Sequence, residues 1–336
     1  MVYTLECTRD KLDSAMDIVR DVVCRPRFFP WELEDAAPAL KLDLAMLASN
    51  HQAQLVEAIH KAAYRDGLGN SLFMPDFKIG SFNEDDVLDF YLSRYVDSNM
   101  TFVSVGPSHQ TLMDHAKKFK PVGVATEAPR GSGYHGGGEV RVEAASDLVH
   151  AAVVTEGAAM DSGDLAALMV LHQAMGTTPA VKYGVSSGRV GKAAAGATSN
   201  PVAASCILAS YSDSGLFGFQ VTAKADDADK VLKSVGAAFT EATKGALSEA
   251  EVTAAKAKVK SAFLMWYEEG ASVCEDMGAQ AAVLGDVAST DQVLAGIDNV
   301  TATDVNNVAK KVINSKPSMA AVGNLSNTPY LYQIFK

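Results

Sequence analysis

The seven histidines, His51, His60, His109, His115, His135, His150 and His172, are the side chains best suited to hold a metal ion or move a proton near neutral pH. They form neither H-E-x-x-H nor H-x-x-E-H. No two stand four residues apart, the spacing that lets one helix face grip zinc. His60 follows Glu57 as a helix neighbour pair, and His150 alternates with apolar residues as a sheet histidine does. Cys7, Cys24, Cys206 and Cys274 are widely spaced without a C-x-x-C pair, so they read as buried thiols of a reducing compartment. The stretch Gly184-Val185-Ser186-Ser187-Gly188-Arg189-Val190-Gly191-Lys192 approaches a phosphate loop and misses it. Ser186 stands where the first glycine is required, and Ala193 stands where a hydroxyl would meet magnesium. Ser212, Asp213 and Ser214 have no histidine nearby and read as a turn. The acidic runs Glu84–Asp86 and Asp226–Asp229 fall in first helical turns, where the helix dipole favours negative charge. Met265, Trp266 and Tyr267 read as helix core. No nucleophile, base and oxyanion donors come together, so no residue takes a catalytic, cofactor-binding or metal-ligating role and no cofactor is expected.

The elements that would position any site are legible from turn residues and apolar periodicity. Val2–Cys7 reads as a strand, followed by a helix from Thr8 to Val23. Pro30 opens a helical region that runs, with Pro38 inside it, towards Ala63. Asn83 caps Glu84–Val96, Met100–Gly106 reads as a buried strand, and Ser108 caps a helix to about Phe119. Pro121–Gly138 is rich in Pro and Gly and reads as an interdomain linker. Strands Glu139–Ala144 and Leu148–Glu156, a helix over Gly163–Met175, and a loose segment over Thr177–Gly188 follow. A buried hairpin then joins Val202–Ser210 to Leu216–Ala223 through Asp213, Ser214 and Gly215. Helices are expected over Asp226–Thr243, Ser248–Glu269 and Ala271–Leu284, with Ser248 and Glu251 in a capping box. A short helix begins at Thr290, Thr303 caps Asp304–Val312, and Met319–Val322 is the last strand.

Composition bounds the function. Hydrophobic residues make up 48% and charged residues 21%, as in a folded protein, and the length suits two domains. A net charge of −11 argues against nucleic acid as the main partner. No run of about 18 apolar residues is present to span a bilayer. The first residues, Met-Val-Tyr-Thr-Leu-Glu-Cys, have neither a basic n-region nor an Arg/Ser-rich leader.

The two halves repeat each other. Phe82–Val87, a helix and Thr101–Gly106 correspond to Val300–Val305, a helix and Ser318–Gly323, with an offset of 218 from Val87 to Val305 and 217 from Val105 to Val322. The same offset aligns Pro30 with Ser248 and Val2 with the strand at Phe219. The second half then has 80 residues, Glu139–Gly218, ahead of the position matching Met1. The first domain is therefore expected to lack its opening strands and first helix. The expected division is an N-terminal domain over 1–120, a linker over 121–138 and a C-terminal domain over 139–336.

Leu148–Ala159, Tyr211–Phe219, Val23–Pro26 and Ser318–Ala321 resemble the processing-peptidase, or pitrilysin-like, family, and within it the core subunits of the mitochondrial cytochrome bc1 complex. The resemblance covers essentially the whole chain. It implies an α+β fold of two related domains, each a mostly antiparallel sheet with helices on one face. It also implies a non-catalytic structural subunit of respiratory complex III, on the matrix side of the mitochondrial inner membrane. The implied partners are core protein 1 and the other subunits of a dimeric complex. Active members of the family hold zinc through H-x-x-E-H on the first helix of domain one and a later glutamate. The match places that glutamate near Ala53, which cannot bind metal, with Glu57 one turn away. The alternative within the family is a subunit of the mitochondrial processing peptidase, either the zinc endopeptidase or its substrate-binding α partner. The α partner would carry a Gly-rich loop, for which Met175–Gly188 is a weak candidate.

Overall fold

The computed structural model describes residues 1–124, 131–178, 185–244 and 247–335. The chain divides into two compact units. One comprises Met1–Ala45, Phe73–Pro129 and Met265–Val287, the other Met46–Leu72, Arg130–Leu264 and Ala288–Lys336. In order, the helices of the first 120 residues are α1 (Leu12–Cys24), α2 (Pro30–Ser49), α3 (His51–Ala63), α4 (Glu84–Arg94) and α5 (His109–Ala116). They are followed by β1 (Glu139–Glu143), β2 (Leu148–Glu156), α6 (Leu165–Met175), α7 (Gly188–Ala197), β3 (Ala203–Ser210) and β4 (Gly215–Lys224). The chain continues through α8 (Ala228–Thr243), α9 (Glu249–Trp266), α10 (Gly270–Leu284), α11 (Thr290–Asn299), α12 (Ala302–Asn314), β5 (Ser318–Gly323) and α13 (Leu331–Ile334).

The larger unit is built on a five-stranded sheet of order β1-β5-β2-β4-β3, antiparallel except for the β1–β5 pair. Its central strands are apolar almost without interruption because both faces are covered. Val149, Ala151 and Val153 of β2, Phe217, Phe219 and Val221 of β4, and Met319 and Ala321 of β5 point to one face, where they join buried side chains of α6, α8 and α12. The alternate residues Ala152, Val154, Leu216, Ala320 and Val322 point to the other, against Leu55, Ile59, Ala63 and Tyr64. Thus α3, from the first part of the chain, covers the second face of a sheet made by the rest. The expected sheet has helices on one face, and α3 adds the second layer.

The hairpin forms as its sequence predicts, closed by the Tyr211 amide donating to the Ser214 carbonyl at 2.8 Å. Its glycines serve close approach rather than positive φ, which Gly215 does not adopt. A Cβ on Gly215 would lie 2.3 Å from the Ala158 carbonyl oxygen, and one on Gly218 would lie 2.0 Å from that of Val153.

The smaller unit is helical among its described residues. Val23, Cys24 and Phe119 are its buried centre, with Met16, Val19, Tyr95, Met100 and Phe102 packed around them, and the Tyr91 hydroxyl donates to the Val23 carbonyl at 2.9 Å. Val2–Cys7 and Met100–Gly106, expected as strands, join no ladder among the described residues. A strand is completed by its neighbour's backbone, and neither segment is paired with one. Other local expectations are corrected by geometry. Thr301, not Thr303, caps α12, because its hydroxyl and the Asp304 carboxylate close a capping box. Thr8 makes no side-chain cap. Met265 and Trp266 are exposed rather than core. Cys7 is exposed and Cys274 half-buried, leaving Cys24 and Cys206 as the buried thiols.

Candidate functional site

The chemically richest part of the described structure is the face of the sheet beneath α3. Apolar side chains at helical spacing hold the helix down, and its polar residues then meet the hairpin. Asn50 caps α3, its Oδ1 accepting from the Ala53 amide at 3.1 Å. One helical turn before the C-terminal end, His60 Nδ1 donates to the Val56 carbonyl at 2.7 Å. In the neutral ring that donor leaves Nε2 as the acceptor for the Tyr211 hydroxyl. The Tyr64 hydroxyl pairs with Ser214 Oγ at 3.0 Å. Burial pushes the Tyr64 phenol up to about 12, and burial also raises Tyr211.

The segment Gly131–Gly138 closes the cluster. The Ser132 amide donates to Asp213 Oδ2 at 2.5 Å, and the His135 amide donates to the Ala63 carbonyl at 2.9 Å. The Tyr134 hydroxyl donates to the Lys316 carbonyl at 2.6 Å, and burial pushes its pKa up to about 12. Tyrosines held protonated in this way donate hydrogen bonds and do not act as bases near neutral pH. Asp213 and Ser214 therefore belong to a latch between hairpin, helix and connector, while Ser212 meets the neighbouring Asp213 at 3.5 Å.

At the other end of α3, Gln52 donates to Gln220 at 2.7 Å. The rings of His51 and His150 lie 5.8 Å apart between centres, and His150 Nδ1 meets the Thr222 hydroxyl at 3.0 Å. The remaining histidines are dispersed. His115 lies buried 3.2 Å from Asp13 Oδ1. His172 Nε2 donates to the Cys206 carbonyl at 3.1 Å, and burial lowers its pKa. His109 begins α5.

Ala53, the position matched to the family's second glutamate, contributes only its capped amide. Glu57 Oε1 accepts weakly from the Leu72 amide at 3.4 Å. Among the described residues no group of three or more His, Cys, Asp or Glu side chains is placed to hold a metal ion, and no helix is long and apolar enough to cross a membrane.

The near-miss phosphate loop falls partly outside the described residues, at Gly184, as does the Gly-rich candidate loop over 179–184. Its Arg189 is committed elsewhere, gripping Glu251 with two hydrogen bonds of 3.0 and 3.1 Å. Glu251 also closes the expected capping box with Ser248. The Arg189 guanidinium, more than any other group, holds the Glu251 carboxyl down to about 2.

Comparison with known proteins gives this fold its class. Residues 81–259 match the inactive domain of peptidase family M16, and residues 1–76 match the insulinase-type M16 domain. Human mitochondrial cytochrome b-c1 complex subunit 2 is 36% identical over 99% of this chain and 74% of its own length, and the rat protein is 33% identical over the same shares. The α subunit of the potato mitochondrial-processing peptidase is 26% identical over 98% of this chain and 67% of its own. In three dimensions the chain superposes on one chain of Complex III2 from Candida albicans, bound to Inz-5, with a TM-score of 0.83. That match has 16% identity and covers 98% of this chain and 81% of the other. The chain belongs to the M16 peptidase family, in the group formed by subunit 2 of the mitochondrial cytochrome b-c1 complex.

Proposed function

We propose that the chain is a structural core subunit of mitochondrial complex III, holding neighbouring subunits in place without catalysing peptide hydrolysis itself. One observation carries the reading: identity is 36% to a cytochrome b-c1 subunit 2 against 26% to a processing-peptidase α subunit, over nearly the same span of this chain. Local chemistry supports it. Ala53 offers no carboxylate where the peptidases need one, and the hydroxyls and imidazole under α3 are consumed in hydrogen bonds that fasten the fold.

The partners are core protein 1 and other subunits of a dimeric complex, which the chain joins from the matrix side. The domains of this reading are 1–120 and 139–336, two copies of one ancestral unit joined by 121–138. The test is native electrophoresis of mitochondrial membranes carrying the tagged chain. It is expected to migrate with cytochromes b and c1, and its depletion to lower ubiquinol–cytochrome c reductase activity while presequence cleavage continues. Migration with a soluble peptidase heterodimer, with cleavage lost on depletion, would replace this reading by the processing-peptidase one.

A further inference from the structure

His51 opens α3, and His150 is the third residue of β2, 99 residues later in the chain. Sheet and helix bring their rings to 5.8 Å between centres, tilted by 57°. Both side chains are half-buried, so water reaches them. We propose that His51 and His150 form a two-nitrogen site for a late first-row divalent ion such as Zn²⁺ or Cu²⁺, completed by water.

The spacing fits the size of such a site. A nitrogen–metal bond of about 2.05 Å puts the ion about 3.2 Å from each ring centre, and a tetrahedral angle then sets the centres about 5.2 Å apart. The observed 5.8 Å is wider by about 0.6 Å, a gap that side-chain rotation closes or a bond angle of about 130° accommodates. His150 has the supporting partner that metal-bound histidines use. With its Nδ1–H donated to Thr222 Oγ1, 3.0 Å away, Nε2 keeps the lone pair for the ion. Burial, and the neighbouring His51, lower the pKa of His150.

The helix dipole opposes a cation at His51, and only two protein ligands are supplied, so the affinity is modest and follows the imidazole preference for Cu²⁺ over Zn²⁺. This site is remote in kind from peptidase chemistry: it lacks the carboxylate that would activate a water.

The test is Zn²⁺ titration of the full chain by calorimetry, with X-ray absorption at the zinc edge. One equivalent is expected, with two imidazole nitrogens and lighter oxygen ligands and no sulfur. His51 makes no hydrogen bond that its loss would break among those described, so His51→Ala is expected to fold normally and to lose the site. Thr222→Val, which keeps both ligands, should weaken binding by about tenfold to a hundredfold. Unchanged affinity in both His51→Ala and His150→Asn, a sulfur-ligated ion, or no binding by the wild-type chain would each overturn the proposal.

Discussion

Tyr64 shows how much a single hydroxyl holds. The residue is 2% exposed, and the Ser214 hydroxyl with which it pairs is buried as well. Tyr64→Phe keeps the ring in place and strands the serine, so it is expected to cost about 1–2 kcal/mol, read as a lower urea midpoint with unchanged slope. The Glu251 carboxylate gives a pH signature. Its folded pKa is depressed to about 2 from 4.5, chiefly by Arg189. The stabilisation is present above pH 4.5 and is lost as pH falls towards 2. The side chain is 39% exposed, so solvent screening reduces the effect to about 1 kcal/mol. Glu251→Gln should remove that stability at pH 7 and flatten the decline between pH 5 and pH 2 in acid-unfolding curves. The Ser248–Glu251 box and the Asn83 cap were legible because each is decided within three residues of sequence. The pairs His51–His150 and His60–Tyr211 were not, because each is made by a sheet register and a helix docking that no local spacing encodes.

At the scale of elements, the hairpin and β2 were readable from alternation and turn residues, while the partner of α3 was not. The pattern Leu55, Ile59, Ala63 predicts an apolar helix face but does not say which sheet receives it. The corrected cap of α12 strengthens the repeat. Asn83 with Asp86 and Thr301 with Asp304 are both capping boxes, and each position is displaced by 218 residues. The two helices therefore begin by the same device at the same point of each half. The strands expected in the first half fail for a different reason: a strand's stability resides in its neighbours, not in its own residues. The same dependence makes Gly218 critical within the sheet that does form. A Cβ there meets the Val153 carbonyl oxygen at 2.0 Å, against a backbone that is clamped on both sides by β2 and β3. Gly218→Ala should destabilise the chain by about 3 kcal/mol and lower its soluble yield, whereas the same change at Gly196, where a Cβ meets nothing within 4 Å, should be harmless or slightly stabilising.

The whole molecule is unevenly provided with core, and this bears on its role as a subunit. The larger unit buries a continuous set of side chains on both faces of its sheet. The smaller one centres on Val23, Cys24 and Phe119, while Ile18 is 67%, Trp31 58%, Phe77 80% and Phe90 57% exposed. Single exposed apolar residues are ordinary, but this many large ones over so small a core leave little free energy to resist local opening. In a subunit whose work is to be held among others, such side chains are the natural ones for neighbours to cover. Hydrogen exchange of the isolated chain in rising urea is therefore expected to separate the two units. The amides of α1 and α4 should exchange through openings of low free energy, while those of β2, β4 and β5 remain protected up to the global transition. In assembled complex III the same α1 and α4 amides should gain protection, because covering the exposed side chains stabilises only the folded form. A single cooperative transition in the isolated chain, with α1 and β2 exchanging at one urea concentration, would show that the small core suffices alone. No change at α1 and α4 on assembly would show that the partners bind elsewhere.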